Sequence, residues 1–116
     1  MSILVGLDFE TAWSKEYSLR RVPMARYIRD PQFKAHGCAV KIGRNPSKWV
    51  TGAKLPTFFA GLNRTPGVLV YGHNLKFDGA IAAWHYGVNP RMWIDTLGMS
   101  RAILGAQLPS HGLDAV

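Results

Sequence analysis

Cysteine is almost missing from this chain. Cys38 stands alone, which excludes an internal disulfide framework and a cysteine-rich zinc cluster. No apolar run approaches the ~18 residues of a membrane-spanning helix. The chain enters an apolar stretch at Ile3, so the expectation is that it carries no signal peptide. No repeat or low-complexity tract is visible. A reducing, cytoplasmic setting without a membrane partner is the expectation. Acids are also scarce: Asp and Glu total 7 against 14 Lys and Arg, for a formal net charge of +7. That balance suits a polyanion, nucleic acid above all, because bound basic residues release its counterions. The basic residues are dispersed, so a solvated basic surface accounts for the balance equally well. Scarcity makes each acid informative: Asp8, Glu10, Glu16, Asp30, Asp78, Asp95 and Asp114.

The length of 116 residues, 47% of them hydrophobic, supports a real core and a single domain over 1–116. Its organising stretch is Ile3-Leu4-Val5-Gly6-Leu7, which runs straight into Asp8-Phe9-Glu10-Thr11. So short and apolar a run reads as a central strand buried on both faces. Strand side chains alternate, so Asp8 and Glu10 share one face. Two carboxylates at the end of a buried strand repel each other and lose hydration. A cation offsets that, and hard ions such as Mg²⁺ or Mn²⁺ favour carboxylate oxygens. The alternative is a strand that ends at the surface with both acids solvated.

A loop of mixed polarity follows over 11–21. Pro23 suits the first turn of a short helix over 24–29, which must end before Pro31. Residues 33–42 carry a β-rich pattern, Asn45-Pro46-Ser47 is a turn, and 48–51 resume a strand. These two form an antiparallel pair beside the first strand. Leu55, Phe58, Phe59 and Leu62 have helical spacing over 55–62. Residues 68–71 are a short buried strand, and the helix before it implies a parallel crossover. A helix over 79–86 follows, with Gly87 as its C-terminal cap. Asp78 therefore lies at the start of a helix just past a strand's carboxyl end. Asn74 as a cap and Asp78 near the helix dipole would explain that placement structurally. A last strand covers 92–94, and Asp95 or Thr96 caps a helix over 97–104. After a loop over 105–109, Ser110 resembles the cap of a helix beginning at His111. The order implies an α/β fold with a mixed sheet, antiparallel first and then parallel, flanked by helices.

Ligands of open α/β sheets bind at the carboxyl ends of strands. Asp8, Glu10 and Asp78 can converge there. A cluster of such carboxylates can hold two divalent ions about 4 Å apart, one activating a water and one stabilising the leaving oxygen. A phosphodiester is the substrate class that needs both.

Asp8-Phe9-Glu10-Thr11 resembles the first motif, Asp-x-Glu-Thr, of the proofreading 3′→5′ exonucleases with four catalytic acids. Asn74-Leu75-Lys76-Phe77-Asp78 resembles their second motif, and Ile94-Asp95-Thr96-Leu97 the Asp-Thr segment that follows. The nearest likeness is to the exonuclease domain of bacteriophage family-A DNA polymerases, where Tyr17-Ser18-Leu19-Arg20 and Tyr27-Ile28-Arg29-Asp30-Pro31 also look familiar. The resemblance implies a ribonuclease H-like fold in a bacterial cell or phage-infected host. It implies Asp8, Glu10 and Asp78 as catalytic ligands of two Mg²⁺ or Mn²⁺ ions, and the 3′ end of single-stranded DNA as partner. Thr11 and Asn74 would contact the terminal nucleotide. Phe77 would stack beside it or belong to the core. Asp95 would be a structural acid, and His73 a packed neighbour.

The family's third motif has no match. His111-Gly112-Leu113-Asp114 has the right residue types but a gap of three positions instead of five, which turns Asp114 by roughly 200° on a helix. The expectation is a C-terminally incomplete exonuclease domain, with the third motif and a polymerase domain beyond Val116. Such a fragment would be weak or inactive. The alternatives are a non-catalytic nucleic-acid-binding remnant and another ribonuclease H-like nuclease.

Overall fold

The computed structural model describes residues 2–97. Strand β1 (Ile3–Thr11) alternates as its sequence requires: Val5, Leu7 and Phe9 are buried, while Asp8 and Glu10 stand exposed on the opposite face. Helix α1 (Met24–Arg29) follows a long loop and turns Tyr27 and Ile28 into the core. Strand β2 (Ala35–Ile42) runs antiparallel to β1, with Glu10 opposite Gly37 and a shift in register before Thr11. Strand β3 (Lys48–Thr51) pairs antiparallel with β2. A 3₁₀ turn, Gly52–Lys54, leads into α2 (Leu55–Asn63). Its helical spacing holds: Leu55 and Phe59 are fully buried, and Phe58 and Leu62 pack against the core.

Strand β4 (Val68–Gly72) returns parallel to β1, and β5 (Met92–Asp95) lies parallel to β4 beyond it. The sheet order is β3-β2-β1-β4-β5. Between them runs α3 (Leu75–Tyr86), which begins earlier than its apolar pattern indicates. Asn74 precedes it at φ 60°, a left-handed conformation that Asn adopts more readily than most residues. Gly87 closes the helix at φ 64°, and the Val88 N–H donates to the Ala82 carbonyl at 3.0 Å.

Among the described residues, a single cluster of buried side chains forms the core between the sheet and these helices. The Phe9 ring lies 5.8 Å from Phe59 and 6.1 Å from Tyr86, tying β1 to α2 and α3. The expectation that β1 is buried on both faces is corrected here. Leu4, on the face of Gly6 and Asp8, is 46% exposed, and among the described residues the helices pack on the Phe9 face. No helix among the described residues is long and apolar enough to cross a membrane. The helix expected over 97–104 has its first residue in the described part, and that beginning at His111 lies outside it.

Candidate active site

The parallel ladder between β1 and β4 ends at the pair Gly6 and Tyr71. β1 continues past it, so the next backbone donors on that side need another partner. The Phe9 N–H finds one in Asp78: it donates to Asp78 Oδ1 at 3.0 Å. The second-motif acid is thus held against the backbone between Asp8 and Glu10. α3 places it there because Asp78 lies in its first turn, just beyond the carboxyl end of β4.

Asp78 is 6% exposed. Burial pushes its carboxyl up to about 7; the Phe9 N–H pulls the other way, and the negative charges of Asp8 and Glu10 add to the rise. The site thus brings a buried carboxyl close to two further carboxylates, an arrangement that favours a bound cation. A cleft of ≈ 510 Å³ opens beside it, bordered by Asp8, Asp78, Lys41, Tyr71 and His73. Glu10 does not border that cleft. Among the described residues no three His, Cys, Asp or Glu side chains are drawn together tightly enough to hold a metal ion. The three acids share a neighbourhood without closing on one point. Their oxygen donors still suit Mg²⁺, which keeps several waters and is usually bound through one or two carboxylates plus substrate phosphates.

The remaining sequence candidates divide. The Thr11 hydroxyl lies 2.9 Å from the Tyr27 hydroxyl, which donates to the Ala12 carbonyl at 2.6 Å. Tyr27 has one proton to give, so Thr11 is the donor of that pair. Asn74 is exposed and makes no side-chain cap bond; its backbone N–H donates to Asp95 Oδ1 at 3.1 Å. Phe77 packs against the core, its ring 6.0 Å from Tyr27. Asp95 Oδ1 also accepts the Leu97 N–H at 3.0 Å, as a helix-capping carboxylate does. Thr96 donates to the Gly72 carbonyl at 3.2 Å. Its hydroxyl lies 3.0 Å from His73 Nδ1, so that nitrogen carries the proton. His111 and Asp114 lie outside the described residues.

Lys41 and Tyr71 also border the cleft and were not among the sequence candidates for the site. For Tyr71 a trace existed in Gly6, its cross-strand partner. A Cβ there would meet the Tyr71 ring at 2.6 Å, so glycine makes room for the tyrosine over the strand.

No protein-family model and no curated protein sequence matches this chain. Solved structures do. Brucella melitensis NrnC with bound Mg²⁺ superimposes with a TM-score of 0.61 at 18% identity, covering 95% of this chain and 49% of that one. NrnC bound to pGG gives 0.63 at 18% identity, with 95% and 48% covered. The fold is ribonuclease H-like. The chain spans about half the length of NrnC. In this ribonuclease H-like sheet, Asp8 and Glu10 sit on the central strand and Asp78 at the adjoining strand–helix junction.

Proposed function

We propose that this chain is part of a metal-dependent 3′→5′ exonuclease of the four-acid type, acting on the phosphodiester bonds of single-stranded DNA. Asp78, buried against the Phe9 N–H between Asp8 and Glu10, is the observation that carries the reading. Asp8, Glu10 and Asp78 would be the protein's ligands to Mg²⁺ or Mn²⁺, with the substrate phosphate completing the shell. Bound there, the metal would supply an activated water and would stabilise the leaving oxygen. Asn74, with its exposed side chain, and Thr11 would position the terminal nucleotide, and Phe77 would support it from the core. The Mg²⁺ and the pGG found in NrnC structures support the same chemistry. The motif resemblance favours a proofreading domain of a phage-type polymerase, with a polymerase domain in the whole protein. Since 1–116 offers no third motif, its activity alone is expected to be very weak; losing one element of such a site costs orders of magnitude.

Digestion of 3′- and 5′-labelled single-stranded oligonucleotides, with Mg²⁺ or Mn²⁺ against EDTA, tests this. Slow release of the 3′ label first, abolished by EDTA and by Asp8→Ala, is the expected outcome. Cleavage of a circular single strand would overturn it in favour of an endonuclease. The loose spacing of the acids and the net charge of +7 favour a second reading, a non-catalytic binding remnant. Binding with no release under either metal would establish that one.

A further inference from the structure

We propose that the loop between β1 and α1 is a binding site for single-stranded nucleic acid, with Trp13 stacked on a base and Lys15, Arg20 and Arg21 on phosphates. Trp13 is 76% exposed and Leu19 49%. Singly, exposed apolar side chains are ordinary; grouped and rimmed by polar residues, they mark interaction sites. Both border one hollow together with Lys15, Arg20 and Arg21. The loop's acid is Glu16, so its surface is net positive.

The loop is held firmly. The Ala12 N–H donates to the Lys34 carbonyl at 2.9 Å, the Ser14 N–H to the Tyr17 carbonyl at 2.9 Å, and the Val22 N–H to the Ser18 carbonyl at 2.9 Å. The Tyr17 N–H returns to Ser14 Oγ at 3.0 Å. Tyr17 is buried, its ring stacked 4.5 Å from Tyr27 and its hydroxyl donating to the Tyr27 carbonyl. The tyrosines turn inward as anchors while Trp13 and the arginines face outward. Such preorganisation lowers the ordering cost of binding.

Trp13 follows Glu10 by a stretch of chain no longer than about 11 Å. The loop is therefore within reach of the next nucleotides of a strand whose end lies at the acids. An aromatic face takes any base, and a guanidinium takes phosphate. A duplex hides its base faces, and an acidic peptide has none, so a single strand is the ligand that uses both features. The inference rests on the nuclease reading for the direction of the strand alone.

The test is fluorescence anisotropy of labelled decamers, oligothymidylate and oligouridylate, in EDTA so that hydrolysis is silent. Trp13→Ala should weaken binding about tenfold and Trp13→Phe much less. Arg20→Gln with Arg21→Gln should flatten the slope of log K against log salt by about 1.4. Melting temperatures should stay unchanged, since these side chains lie outside the core. Weakening of either decamer upholds the site, and the tighter of the two names the nucleic acid. Binding by Trp13→Ala within twofold of the parent overturns it, as does displacement by polyglutamate that is indifferent to Trp13. Weakened binding without 3′ hydrolysis would uphold the loop and sink the exonuclease; hydrolysis with unchanged binding would do the reverse.

Discussion

Asp78 shows how a single residue joins fold to chemistry. Its spacing from Asn74 and its place after a β-rich run were legible in the sequence. Its partner was not, because the Phe9 N–H becomes available only where β4 stops short of β1. The consequence can be measured. Burial pushes the folded carboxyl up to about 7, against about 3.9 in an unfolded chain. The folded state therefore holds the proton more tightly, and this group's stabilisation is present at low pH and lost as pH rises through about 7. In EDTA, the melting temperature of the parent should fall relative to that of Asp78→Asn between pH 5 and pH 8. Mg²⁺ should raise the parent's melting temperature at pH 8 and do so less at pH 5, where it competes with the proton. A parent that gains on the Asn variant as pH rises would contradict the placement of Asp78.

At the scale of elements, periodic features were readable and non-periodic ones were not. The helical spacing of Leu55, Phe58, Phe59 and Leu62 marked α2, and Gly87 marked the end of α3. Asn74 as the residue before α3 was readable too, as a cap; its left-handed backbone and the absence of a side-chain cap bond were not. The loop before α1 has no period because tyrosine hydroxyls and rings order it. Glycines make the same distinction around α2. A Cβ at Gly52 would lie 2.5 Å from the Ala35 carbonyl oxygen of β2, so the backbone itself must move. Gly61, inside α2, has open space around it. Gly52→Ala should cost about 1–3 kcal/mol, and Gly61→Ala should gain about 0.5–1 kcal/mol from helix propensity. Urea midpoints measured with an unchanged slope would report both. Equal effects at the two positions would mean that the 3₁₀ turn does not pack against β2.

Across the whole molecule, the mixed sheet and its strand directions followed from the order of apolar runs and breaks. One-sided burial did not. An apolar run such as Ile3-Leu4-Val5-Gly6-Leu7 looks the same whether Leu4 is covered or, as here, half exposed. Charge is the other global property, and it separates the two readings of function. The chain carries a net charge of +7, yet Asp8, Glu10 and Asp78 repel one another and any phosphate. If the basic surface supplies the affinity, replacing Asp8 and Glu10 by Ala removes repulsion. Binding of a single-stranded decamer in EDTA should then survive or tighten. Its logarithm should still fall with log salt, by about 0.7 for each phosphate neutralised. If the acids act only through metal, the same variant loses just the increment that Mg²⁺ adds to the parent. Isothermal titration with and without Mg²⁺ separates these contributions. Binding that vanishes in EDTA for parent and variant alike would mean that the basic surface grips nothing by itself, and that substrate is held through the metal.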